Sequence, residues 1–154
     1  MLLEGVRFDN INISCRNERG VKILLRIGNP IPPEEIPFEA LDKEMVNIIK
    51  LLNCSYGYKT KYCCFGHEEN DNLYIMFHED MNSQIEDLAV KVVNHIKGMD
   101  LSFKFWIRNV QGKVEKNWLC ETNGAKLEAD RFRILNELTE ALIDCFKKGD
   151  VIHL

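Results

Sequence analysis

Long hydrophobic runs are missing from this chain. No apolar stretch approaches the roughly 20 residues that a membrane-crossing helix needs. Proline is also scarce, and all of it falls within 30–37. Proline interrupts helix interiors and central strands, so that stretch reads as an extended connector and the rest of the chain is free to form regular elements. There is no excess of positive charge: 20 basic against 24 acidic residues give a net charge of -4. A field of that sign does not steer a protein toward nucleic acid. The opening residues MLLEGVRFDN have neither the basic start nor the apolar run of a secretory signal. The expectation is a cytoplasmic protein with no membrane partner. Repeats and low-complexity segments are absent as well.

Several chemical signatures are missing too. There is no Cys-x-x-Cys pair, no glycine-rich phosphate loop, no dinucleotide fingerprint and no Gly-x-Ser-x-Gly elbow. The six cysteines are irregularly spaced, so they read as reduced thiols, several of them buried as small apolar residues.

What is present is a chain of 154 residues, 45% hydrophobic, enough to bury a sizeable core. The expectation is one α+β domain over 1–154. Ile11, Ile13 and Cys15, then Val21, Ile23, Leu25 and Ile27, alternate as two strands around an Arg19-Gly20 turn. Asp42 is placed to cap a first helix, with Leu41 and Val46 as a hydrophobic staple. Met45, Ile48, Ile49 and Leu52 are its buried face, and Gly57 ends the turn that follows it. Strands are expected over 58–65 and 73–78. Ser83 and Glu86 form a capping box for a second helix, whose stripe includes Ile85, Leu88, Ala89, Val92, Val93 and Ile96, with Gly98 as its stop. A strand over 101–108 turns at Gln111-Gly112 into another over 114–120. A last helix over about 130–148 buries Leu135, Leu138, Leu142, Cys145 and Phe146, and Gly149 ends it. The order β-β-α-β-β-α-β-β-α contains a β-α-β-β-α-β run. That predicts a ferredoxin-like, split βαβ core with an antiparallel or mixed sheet and helices mainly on one face. An extra N-terminal strand and a C-terminal strand and helix complete it.

Chemistry concentrates where a strand runs into a loop. Thr60, Cys63, Cys64, Gly66 and His67, with His78 on the next strand, are the candidate site residues. Adjacent cysteines on a strand face opposite ways, so only one of Cys63 and Cys64 shares a surface with His67. A thiolate–imidazole pair would suit a nucleophile. It would also suit zinc, but the further ligands Cys15, Cys120, His78, Glu68 and Glu69 have no diagnostic spacing, so no metal and no cofactor are expected. A plain turn made by Gly66-His67 is the competing reading. Tyr74 and Met76 share one strand parity. If they face outward with Lys104, Trp106 and Arg108, they make an aromatic and basic sheet face of the kind that stacks bases. The favoured alternative puts the last helix, or a second subunit, over that face.

Leu52-Asn53, Gly57-Tyr58-Lys59-Thr60, Cys63-Cys64-Phe65-Gly66-His67 and Tyr74-Ile75-Met76-Phe77 together resemble a group of small uncharacterised proteins of Gram-positive bacteria and their prophages. These share a Gly-Tyr-Lys-Thr-x-x-Cys-Cys-x-Gly-His motif. Phe65 stands where a small residue is commoner, and the resemblance implies no particular activity. Thr60, Cys63, Cys64 and Gly66 are also similar in placement to a strand and turn of the methyltransferase family of tRNA wybutosine synthesis. His67 replaces that family's Arg and Phe65 its Ser. This second resemblance implies only that the turn is a site to test. The leading expectation is a small, non-catalytic binding or accessory protein of bacterial or prophage origin that self-associates as a homo-oligomer. The alternative is an enzyme acting on a nucleotide or RNA through the Cys63 to His67 loop.

Overall fold

The computed structural model describes residues 12–16, 22–26, 29–96, 100–124 and 127–146. The turn at Arg19-Gly20 and the stops at Gly98 and Gly149 lie outside the described residues. Strands β1 (Asn12–Arg16) and β2 (Lys22–Arg26) pair antiparallel, with Ile13 opposite Leu25, as a two-stranded sheet of their own.

The proline segment is not simply extended. It makes two 3-10 turns, Pro33–Glu35 and Phe38–Ala40. Pro33 suits the first position of such a turn, because its φ is preset and the N–H it lacks would have no partner there. A third 3-10 turn, Lys43–Met45, leads into α1 (Val46–Lys50), which widens into a π-helical turn over Leu51–Ser55. Gly57, at φ 71, then reverses the chain, and Tyr58 N–H donates to Leu52 O at 2.8 Å. That closes the helix as expected of a glycine in the left-handed region.

Two capping expectations fail. Asp42 precedes its turn but makes no side-chain capping bond. The Ser83–Glu86 box is pre-empted because the helical run starts earlier. A 3-10 turn, Glu79–Met81, precedes α2 (Asn82–His95), and His78 caps that turn by accepting from Asp80 N–H at 3.3 Å. Ser83 therefore already lies inside the helix, where the N–H groups are in use.

Strands β3 (Thr60–Cys64), β4 (Tyr74–Phe77), β5 (Leu101–Val110) and β6 (Lys113–Thr122) form one antiparallel sheet in the order β3-β4-β6-β5. Gln111 and Gly112, at φ 51 and 82, join β5 to β6 in a two-residue hairpin. Both central residues at positive φ define the type I′ turn that matches strand twist. The class is α+β, as expected. The ferredoxin-like arrangement is not what these strands form: β2 pairs with β1, and β6 takes the central place between β4 and β5. The physical reason is a competition among strands for the place beside β4. A tight hairpin makes β6 the natural neighbour of β5, whereas the proline segment separates β2 from the strands that follow.

Cys63, Ile75, Phe77, Phe103 and Cys120 face the core together with α1, α2 and α3 (Glu128–Cys145). The last helix contributes Ile134, Leu135, Leu138, Leu142 and Cys145 to that core, so it lies on the same side as the other helices. It does not cover the Tyr74 and Met76 face, which removes the last helix, though not a second subunit, from the favoured expectation. Among the described residues no helix is long and apolar enough to cross a membrane.

One polar pair extends the sheet beyond β4. Leu73 N–H donates to the buried Thr122 hydroxyl at 3.1 Å, and Thr122 N–H donates to Leu73 O at 3.0 Å. Thr122→Val keeps the shape but leaves the Leu73 N–H without its acceptor. The expected loss is about 1–2 kcal/mol, read as a lower urea midpoint at unchanged slope. An unchanged midpoint would show that this bond contributes nothing.

Candidate functional site

Two neighbouring features occupy the outer side of the sheet. The first is a cluster at the end of β3. Cys64 faces outward, and the next residues turn sharply because Gly66 sits at φ 95. That turn lets Gly66 N–H donate to Cys64 Sγ at 3.3 Å and brings the exposed His67 ring back toward the strand. Asp42 arrives from a distant part of the chain. Its Oδ2 accepts from Phe65 N–H at 2.8 Å, and its Oδ1 lies 3.6 Å from His67 Nε2. One donor atom each from Asp42, Cys64 and His67 lies within 4.8 Å of the other two.

The loop carrying His67 is held from below. Asp71 Oδ2 accepts from the N–H groups of His67 and Glu68, at 2.9 Å each, and those bonds hold its pKa below the usual carboxylate value. Arg131, buried in α3, donates through Nη1 to the carbonyls of Glu68 and Asp71 at 3.2 Å each. Its guanidinium also lies 5.4 Å from the centre of the Phe65 ring. Burial raises the Cys64 thiol pKa, the Gly66 N–H partly offsets that, and the Asp42 charge raises it further. The thiol is therefore protonated at neutral pH, which makes it a poor nucleophile.

The expected site residues divide. Cys64, Gly66 and His67 come together. Cys63 points into the core, where burial, then the charges of Asp42 and Cys64, push its pKa up to about 11. Thr60 and His78 lie at the other end of the strand pair: Thr60 is opposite Phe77, whereas Cys64 is opposite Tyr74. There Thr60 bonds Asn53, and His78 serves as a cap. Asp42 was legible only as a helix cap. Arg131 had a usable signal, a charged residue on the apolar stripe that continues through Ile134, Leu135 and Leu138.

The second feature is a groove of about 680 Å³ on the open sheet face, within the usual size of small-molecule sites. Tyr74, Met76, Lys104, Trp106 and Arg108 all line it, joined by Tyr62, Leu119, Glu121 and Cys64. Met76 and Leu119 are buried and make its apolar floor. Its cations already have partners. Lys104 pairs with Glu121, and Arg108 pairs with Glu115 at 3.1 Å while lying 5.0 Å from the centre of the Trp106 ring.

A family model described as YoqC prophage protein matches residues 32–146, the stretch that holds both features. The chain belongs to the YoqC prophage protein family. No curated protein and no solved structure matches it. The family's matched span takes in Asp42, the Cys64 to His67 turn, the groove strands and Arg131.

Proposed function

We propose that this member of the prophage family is a non-catalytic binding or accessory protein that works as a pair, joined to a second copy of the chain along β5. The observation that carries this reading is an edge of the sheet that has no further strand among the described residues. β5 is a terminal strand of ten residues. At its middle, Phe105, Trp106 and Ile107 are 46%, 43% and 60% exposed. Among the described residues, β4 pairs with β6 only from Leu119 to Glu121, and the β5–β6 ribbon beyond that point has no third strand. Monomeric proteins usually blunt such an edge with charge, proline or a bulge. Here its middle is apolar.

The surrounding charges suit self-pairing. Lys61, Lys104 and Arg108 are matched by Glu79, Glu121 and Glu115. A two-fold contact sets each surface against itself, and a neutralised surface does so without repulsion. The groove runs beside the same edge. Its aromatic walls suit a flat or apolar group, while phosphates gain little from cations that are already paired.

The expected result is a concentration-dependent dimer in sedimentation or light scattering. Ile107→Lys should weaken it by at least about tenfold, without loss of monomer stability, because the side chain is exposed. A monomer at every concentration, or a dimer indifferent to both Ile107→Lys and Phe105→Lys, would overturn the reading.

One observation favours the enzyme alternative, a nucleotide- or RNA-acting protein with its site at the 63–67 loop: the approach of Cys64 to His67. The protonated thiol argues the other way. Fast alkylation of Cys64 at neutral pH would favour the enzyme; slow alkylation favours the binding protein.

A further inference from the structure

We propose that Asp42, Cys64 and His67 form a binding site for a divalent transition-metal ion of the zinc class. The donor atoms converge and are held in place from outside, and neither property depends on the pairing of copies along β5.

Convergence comes first. In a tetrahedral site with the usual zinc bond lengths, donor atoms lie about 3.3–3.8 Å apart. The Asp42 Oδ1 and His67 Nε2 atoms are already 3.6 Å apart, and one donor from each of the three residues lies within 4.8 Å of the other two. Closing from 4.8 Å to that range asks for movements of about 1 Å, within reach of side-chain adjustment by the exposed His67. The set of one thiol sulfur, one imidazole nitrogen and one carboxylate oxygen is a zinc set. The sulfur disfavours magnesium and calcium, which take oxygen ligands.

The arrangement fits a metal better than a proton relay. In a Cys-His-Asp relay the carboxylate and the thiol meet opposite nitrogens of the ring. Here a single imidazole nitrogen lies close to both.

The support around the donors is what a metal site needs. The second oxygen of Asp42 is taken by Phe65 N–H, which leaves Oδ1 directed at the cluster. The Gly66 N–H bond to Cys64 Sγ would stabilise a metal-bound thiolate. Asp71 and Arg131 fix the backbone of the loop that carries His67. Such outer partners orient ligands and reduce the ordering needed on binding. Three protein ligands leave a fourth tetrahedral position for water, unlike the closed four-ligand set of structural zinc sites.

The test is a cobalt(II) titration of tag-free, reduced protein, followed by zinc displacement. The expected spectrum has the intense visible bands of tetrahedral cobalt and a thiolate-to-cobalt charge-transfer band, saturating at one equivalent. His67→Ala should weaken binding by at least about 100-fold, because losing an outer-shell partner alone commonly costs 10–100-fold. The His67 side chain is 69% exposed, so that variant should stay folded, which circular dichroism verifies. Cys64→Ser should remove the charge-transfer band, whereas Cys63→Ser, on the opposite face, should retain it. The same titration of Ile107→Lys should be unchanged, which keeps this result separate from that of the dimer. Absence of tetrahedral bands, or undiminished affinity in both His67→Ala and Cys64→Ser, would overturn the proposal.

Discussion

Gly66→Ala is expected to lower the free energy of unfolding by about 2–4 kcal/mol, from a conformational penalty plus lost hydrogen bonds. Gly66 has φ 95, a backbone state that side-chain-bearing residues rarely adopt. A Cβ there would also lie 2.8 Å from Arg131 Nε and 3.1 Å from its Cδ and Cζ. Arg131 cannot retreat cheaply. It is only 3% exposed, and its Nη1 holds two loop carbonyls. Either the guanidinium gives up those bonds or the turn unwinds and carries His67 away from Cys64. Gly112→Ala is the internal comparison. Gly112 has φ 82, and a methyl group added there would meet nothing within 4 Å, so only the conformational penalty of about 1–2 kcal/mol applies. Urea denaturation of the two variants separates the effects. Equal losses would mean that Arg131 exerts no steric lock on the turn.

Asn53→Leu is expected to cost about 2–4 kcal/mol, because it leaves buried backbone groups unpaired. Asn53 is 2% exposed within the π-helical turn. Its Oδ1 accepts from Thr60 N–H at 3.0 Å. Its Nδ2 donates to Ile49 O at 2.8 Å and to Thr60 Oγ1 at 3.0 Å. One amide therefore ties the end of the first helical run to the start of β3, the strand that ends at Cys64. Leucine keeps the branching pattern, is somewhat bulkier, and restores none of the three bonds. Asn53→Asp retains an acceptor for Thr60 N–H but loses both donated bonds and adds a buried charge, so it should be destabilised as well. Thermal unfolding measures both, and near-native stability of Asn53→Leu would show that the leucine environment compensates for the lost bonds.

Elements whose signals are local could be read from the residues alone. The alternation of Leu101, Phe103 and Phe105 marks β5, and the i, i+3, i+4 spacing of Ile85, Leu88 and Ala89 marks α2. Gln111-Gly112 and Gly57 mark reversals because those backbone angles favour such residues. These signals span a few residues, and the preference of each segment for its own geometry is enough to produce them.

The sheet order and the site needed the whole fold. An apolar stripe on α3 says that the helix is buried, but not on which side of the sheet, and it packs opposite the groove. β6 enters between β4 and β5, leaving β2 with β1, because that choice depends on competition among strands far apart in the chain. Asp42 carries the same local pattern as a capping residue, yet its carboxylate reaches Phe65 N–H, 23 residues on. Arg131 reaches the carbonyl of Glu68 across 63 residues. Sequence spacing exposed Cys64 and His67 as neighbours on a turn. Only chain packing supplied the carboxylate beside them and left the aromatic face open, because contacts across such separations are settled by the joint burial of all three helices rather than by the preference of any one segment.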